Sequence, residues 1–331
     1  MLATIAYFPS VGWVSAQQLE SGCVTCHQAL TGKQADPVAE FNKSVHAKAR
    51  VTCVDCHGGD SRTTDMGKAM SAKRGFVGKP DPRRIPKLCA RCHADIRRMR
   101  PYNIRTDQYA EYRLSQHGKL LFEKGDTRVA TCISCHGVHD IRKKDDPESL
   151  VYHTRVPQTC AACHSDKARM KGYDIPTDQF EKYQRSYHGQ ILMGKIEGKN
   201  PALAPNCANC HGIHAAAPPG VREVANVCGN CHANTASYFG KSPHYLAVQR
   251  MGMPRCVDCH GNHEIIFPSL KLFANKDGNI CTKCHGTDSS QYKLGNDMFV
   301  LLRDTQDSID KGEASLRSVE RAGLNVDRLK E

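Results

Sequence analysis

Nine Cys-x-x-Cys-His motifs run through this chain of 331 residues, and together they use all eighteen cysteines. They are Cys23, Cys26 and His27; Cys53, Cys56 and His57; Cys89, Cys92 and His93; Cys132, Cys135 and His136; Cys160, Cys163 and His164; Cys207, Cys210 and His211; Cys228, Cys231 and His232; Cys256, Cys259 and His260; and Cys281, Cys284 and His285. We number them sites 1 to 9 in chain order. The spacing is that of covalent c-type haem attachment, in which two thiols add to the vinyl groups of one haem and the next residue ligates its iron. Zinc ribbons also use Cys-x-x-Cys pairs, but they need two pairs per metal and no fixed histidine after each. Histidine is 17 of 331 residues, too sparse to follow nine pairs by chance. Disulfides would leave those histidines unexplained as well. Nine haem c groups, each with one iron, are therefore the expected cofactors.

One motif per about 37 residues leaves little chain for a conventional core. Aromatic residues are only 6%, and the 40% hydrophobic content includes the motif cysteines. Burial of the large apolar haems is expected to supply the driving force that side chains supply elsewhere. The linkers at 58–86, 140–158, 194–206 and 215–225 are rich in Gly, Pro and Lys and lack the alternation of strands. The expected fold is mostly α and irregular, with short helices around a haem array and little or no β-sheet.

The polypeptide carries a formal charge of +12. A bis-ligated ferric haem with two ionised propionates carries about −1, so nine would leave the holoprotein only mildly cationic. A nucleic-acid partner is not expected. The basic run from Lys68 to Arg100 reads as propionate partners and a solvated face, the alternative being an acidic partner or an anionic membrane surface. Residues 1–16 are uncharged and end in Val14-Ser15-Ala16, which reads as part of a signal peptide, the alternative being a retained surface segment. Haem attachment takes place outside the cytoplasm, so a periplasmic or other extracytoplasmic location is expected. No apolar run reaches 18 residues, so a soluble or peripheral protein is expected.

An internal repeat of 71 residues organises the motifs: Pro86 to Tyr109 and Pro157 to Phe180 share thirteen of 24 positions. Each block runs on into a Ser-x-His-Gly (Ser115 to Gly118, Ser186 to Gly189) and then a Cys-x-x-Cys-His-Gly-x-His. Shorter versions precede and follow. The haem region at 17–288 thus divides into two-haem modules at about 17–80, 81–150, 151–220 and 221–270, with site 9 at 271–288. At 289–331, Leu294, Met298, Leu301, Ile309, Leu316 and Val319 recur at helical spacing and predict an amphipathic C-terminal helix. It would pack on the last module or serve for docking or dimerisation.

The chemistry of each haem depends on the ligand opposite its motif histidine. Eight histidines lie outside the motifs: His46, His117, His139, His153, His188, His214, His244 and His263. His46, His117, His188 and His244 follow Ser-x. His139, His214 and His263 lie three residues after a motif histidine, too near to circle the porphyrin, so they are expected to reach a neighbouring haem. His153 has no counterpart in the other modules but is counted as a ligand. Nine haems against eight histidines leave one exception. The pattern breaks at site 2, where Asp60 stands in the place of His139. Met70, or failing it Met66, is the expected sixth ligand there, the alternative being an open iron.

The stretches Cys56-His-Gly-Gly-Asp60, Gly75 to Pro80, Leu88 to His93, Thr106-Asp-Gln108, Ser115 to Gly118 and Cys132 to His139 resemble periplasmic multihaem cytochromes of the broad cytochrome c3 and NapC/NirT-like group. The resemblance covers about residues 20–290. It implies a wire between a membrane quinol-oxidising cytochrome complex and soluble periplasmic cytochromes, with peripheral membrane association and oligomers both compatible. The membrane anchor of NapC/NirT members is not seen, so direct quinol oxidation is not expected. No Cys-x-x-Cys-Lys motif occurs either. The leading reading is an electron carrier without substrate chemistry of its own. The alternative is an oxidoreductase with one open haem acting on a small nitrogen or sulfur compound; a polymeric filament with ligands shared between subunits is a third.

Overall fold

The computed structural model describes residues 21–216, 227–273, 280–325 and 327. The expected leader at 1–16 lies outside these residues. Among the described residues there are many short helices and no strand, so the chain is mostly α and irregular as expected.

The motifs form the helices because Cys-x-x-Cys places both sulfurs on one face of a single turn, with the histidine beside them. Even-numbered sites have five-residue helices: Cys53–His57, Cys132–His136, Cys207–His211 and Cys256–His260. Each opens on a side chain inside the motif that accepts a hydrogen bond from the backbone of the residue before it. Thr52 N donates to Asp55 (2.7 Å), Thr131 N to Ser134 (3.0 Å), Asn206 N to Asn209 (2.9 Å) and Arg255 N to Asp258 (2.6 Å). Each closes on a glycine at positive φ, Gly58, Gly137, Gly212 or Gly261. Only glycine adopts that conformation cheaply, and it turns the chain sharply away after the histidine. Sites 3 and 5 instead end nine-residue helices, Ile85–His93 and Val156–His164, which carry a proline, Pro86 or Pro157, in their first turn.

The Ser-x-His-Gly pattern is a helix start. Ser115 Oγ accepts from Gly118 N (3.0 Å) and donates to the Tyr112 carbonyl (2.6 Å), and Ser186 repeats this with Gly189 (3.0 Å) and Tyr183 (2.6 Å). Ser44 caps the helix Val45–Lys48 in the same way through Ala47 N at 3.1 Å. Such a cap contributes about 1 kcal/mol and, more to the point, fixes the direction of the histidine two residues on. The glycine is required by close approach: a Cβ on Gly118 or Gly189 would run into the carbonyl of Tyr112 or Tyr183. These serines are essentially buried.

A repeated hydrogen bond then joins each module to the next. Val45 N donates to Ile141 O (2.8 Å), Gln116 N to Ala216 O (3.3 Å) and Tyr187 N to Ile265 O (3.0 Å). In every case the donor follows the capping serine, and the acceptor lies two residues beyond a Gly-x-His. The start of one module's Ser-x-His helix is thereby set against the Gly-x-His of the module that follows.

The chain divides into two compact units, Met1–Phe180 with Leu192–Val224, and Glu181–Ile191 with Ala225–Glu331. The first carries sites 1 to 6 and the second sites 7 to 9. Glu181–Ile191 of the third sequence module, with Ser186 and His188, groups with the second unit. In the second unit, helix Ser290–Arg321 starts on Ser289, whose Oγ accepts from Tyr292 N at 3.1 Å. It packs near its start on Leu270–Leu272 and on Ile280–Lys283 of site 9. Leu294, Met298, Leu301 and Ile309 stay exposed along it.

Apart from Pro86 and Pro157, eight apolar side chains are buried among the described residues: Val38, Ile85, Met99, Tyr112, Leu121, Leu192, Ala204 and Leu272. They are spread over both units and form no continuous core. Folding must therefore draw on the haems, as small metal-dependent domains draw on their metal. Chain produced without haem attachment is expected to show no cooperative thermal transition by circular dichroism; a sharp transition would contradict this.

Candidate haem sites

Covalent haem is tested first by its histidines. A metal–imidazole bond of about 2.0 Å puts the ring centroid about 3 Å from the metal, so two imidazoles on opposite faces of one iron stand about 6 Å apart. Six pairs have this separation: His46–His93 at 6.0 Å, His57–His139 at 6.2 Å, His117–His164 at 6.1 Å, His136–His214 at 6.2 Å, His188–His232 at 6.1 Å and His244–His285 at 6.2 Å. Every pair joins one motif histidine to one histidine outside the motifs. The residues fit six-coordinate haem iron.

The pairs follow one rule. Sites 3, 5, 7 and 9 face the Ser-x-His residue of the module before, and sites 2 and 4 face the Gly-x-His residue of the module after. In each case the facing histidine belongs to sequence two motifs away. The Gly-x-His residues His139 and His214 thus face a motif histidine other than their own, that of the site two motifs earlier. The hydrogen bond from module to module accounts for this reach, since it seats each Ser-x-His helix beside the following Gly-x-His.

Orientation of the rings is consistent with ligation through Nε2. His27 Nδ1 lies 2.8 Å from the Gln34 carbonyl and His57 Nδ1 lies 2.8 Å from the Gly78 carbonyl. A carbonyl can only accept, so Nδ1 holds the proton and Nε2 is left for iron. Nδ1 of His139 faces Glu40 at 3.6 Å, and Nδ1 of His214 faces Glu111 at 3.5 Å. Burial first, and then the facing histidine, hold His46, His117 and His188 below the ordinary imidazole range. Burial, His214 and His93 bring His136 down to about 4. Rings held neutral at physiological pH are what a metal ligand requires.

The thiols place the sites in order. Cys53 neighbours Cys23, and Cys56 neighbours Cys89 and Cys92. Cys89 touches Cys132, an interaction that raises the first thiol and lowers the second, and Cys160 touches Cys207 with the same effect. Burial, with Cys160 and Cys163 next in size, pushes Cys135 up to about 11. In the second unit Cys228 neighbours Cys256, and Cys259 neighbours Cys281 and Cys284. Sites 1 to 6 thus follow one another in space as they do in sequence, and so do sites 7 to 9.

A hollow of about 370 Å³ opens beside Cys56, with an apolar wall from Val77, Pro80 and Leu88 and a cationic rim from Arg84, Lys87 and Arg91. That combination suits a flat apolar group with acidic edges. Elsewhere in the basic run, Asp81 pairs with Arg83 and Asp95 with Arg98, while Asp60 pairs with Arg62 and Arg74. The run is in part neutralised from within.

Three sequence expectations look different in this geometry. His139 stands opposite His57, so an iron held by His57 would meet imidazole on both faces and would not need a methionine. Met70 sits at the end of the short helix Met66–Ala69, and both Met66 and Met70 are exposed. Asp60 takes no ligand away from site 2, because site 2 draws on the next module. His153 is tied up: its Nε2 donates to the Ala204 carbonyl at 2.8 Å, and its Nδ1 accepts from Asn206 Nδ2 at 3.3 Å. Asn206 caps the site-6 helix through Ala208 N at 2.9 Å, so His153 braces that helix from behind.

Sequence reasoning missed the capping serines as positioning residues, and it missed Glu40 and Glu111. A signal for the glutamates existed: each lies four residues before a Ser-x-His serine, where the third module has Lys182.

These features define the class: a c-type cytochrome with many haems, built for electron transfer. Residues 45–173 and 201–286 match the cytochrome c3 family, and residues 11–58 match the family of cytochrome c554 and c-prime. The chain belongs to the cytochrome c3 family. Neither match is to the NapC/NirT-like group. Searches of curated proteins and of solved structures returned no match.

If the facing rings are axial ligands, replacing His117 with Ala should convert one haem from low-spin to high-spin, whereas His153→Ala should leave the spin count unchanged. Absorption and electron paramagnetic resonance spectra of the two variants read the difference.

Proposed function

We propose that the chain carries nine covalently bound haem c groups, one at each motif, and relays electrons along them outside the cytoplasm. Its partners would be a membrane quinol-oxidising cytochrome complex and soluble periplasmic redox carriers. The observation that carries this reading is the chain-order succession of sites, each beside the next within its unit. Among the described residues no helix is long and apolar enough to cross a membrane, which is compatible with peripheral contact with such a complex.

Bound haem supplies one-electron chemistry at its iron. The protein supplies everything that makes such iron useful as a carrier. Two cysteines per site would anchor each group covalently, and the motif histidine would hold one axial position. The facing histidine would hold the other, keeping the coordination number the same in both oxidation states. Fixed imidazole pairs favour fast electron exchange because little has to move when charge changes, and they set the potential together with burial and nearby charge. Glu40 and Glu111, beside the Nδ1 atoms of His139 and His214, would make those two rings more basic and lower the potentials of sites 2 and 4. Adjacent sites would titrate in overlapping steps.

Stopped-flow mixing tests the relay. Ferric holoprotein mixed with vesicles bearing a reduced quinol-oxidising cytochrome complex should become reduced at its low-spin haems. It should then pass those electrons to an added ferric soluble cytochrome c. Failure of the reduced protein to reduce the acceptor would contradict the relay.

A further inference from the structure

All seventeen histidines of the chain lie among the described residues. Nine belong to motifs, and six of the others face a motif ring. Beyond these pairs, the motif histidines His27, His211 and His260 have only two further non-motif histidines to draw on, His153 and His263. His153 has both ring nitrogens engaged by Ala204 and Asn206. That leaves one histidine for three motif histidines, so at least two of the three face no second imidazole among the described residues.

The geometry also says which two. Among the described residues no histidine ring faces His27 or His260. His27 is nonetheless oriented as a ligand, with Nδ1 on the Gln34 carbonyl and Nε2 free. Neither His27 nor His260 is among the motif histidines that the Ser-x-His and Gly-x-His residues of the six pairs face. Each of the two lies beside bis-histidine sites: site 1 next to site 2 through Cys23 and Cys53, and site 8 next to sites 7 and 9 through Cys256 and Cys259.

We propose that the haems held by His27 and His260 keep an exchangeable distal position that binds small π-acceptor ligands of the carbon monoxide and nitric oxide class. This rests on the reading of the nine motifs as haem sites. It moves the exceptional coordination away from site 2 and makes it two sites rather than one. Each would be a point on the array where a small molecule meets iron that its neighbours can supply with electrons.

Anaerobic titration of the dithionite-reduced holoprotein with carbon monoxide provides the test, read as ligand bound per chain from the Soret change and as C–O stretching bands in the infrared. Two carbon monoxide molecules per chain are expected, with two bands, one altered by His27→Met and the other by His260→Met. The His117→Ala variant should bind three. A wild-type count of one or none, with His117→Ala adding one to it, overturns this proposal and leaves the paired-histidine reading standing. A count that His117→Ala does not raise overturns that reading itself. Two bands that neither proximal variant alters also overturn the assignment to sites 1 and 8.

Discussion

The structure depends on one constraint: two imidazoles must stand on opposite faces of one metal, about 6 Å apart, and they must come from parts of the chain that do not adjoin. Six histidine pairs meet it at 6.0–6.2 Å. Because each pair reaches two motifs along the sequence, each would bind one module to the next. Odd and even sites make two interleaved series, one reaching back and the other forward. A chain with so few buried apolar side chains would gain its long-range order from such links, a haem between the rings serving as both core and clamp.

The rest of the local structure serves this placement. Motif helices at even sites open on a side chain within the Cys-x-x-Cys and stop on a left-handed glycine. The turn keeps the next residues from continuing the helix and leads them toward the Gly-x-His. The capping serines do the matching task on the other series: Ser115 and Ser186 lock the first turn of the helix that bears the histidine. The backbone bonds Val45–Ile141, Gln116–Ala216 and Tyr187–Ile265 then hold the two series in register. Small polar groups thereby decide which iron each histidine can reach. The consequence for function is that, within each unit, the order of the sites in space follows their order in sequence.

Much of this was legible in the sequence, and the limits are physical. Cys-x-x-Cys-His is a local chemical requirement, so all nine motifs could be read directly. The Ser-x-His and Gly-x-His classes were visible because the repeat presents each of them several times. Which site each histidine faces was not visible, because that is a property of packing between modules. Reasoning within one module made Asp60 a gap at site 2 and made Met70 its remedy; the facing ring of His139, 82 residues from His57, removes the need. His153 looked like a ligand by count alone, and only its bonds to Ala204 and Asn206 assign it elsewhere. The C-terminal stripe was periodic enough to predict a helix near Ser290–Arg321, but nothing in its spacing told that so much of its apolar edge would stay exposed.

The most direct test of the account is an experimental structure of the fully haem-loaded protein, read for the two axial ligands of each iron. The account predicts His46 with His93, His57 with His139, His117 with His164, His136 with His214, His188 with His232 and His244 with His285, each pair across a single iron. Irons bridged instead by histidines of one module, or of adjacent motifs, would contradict it.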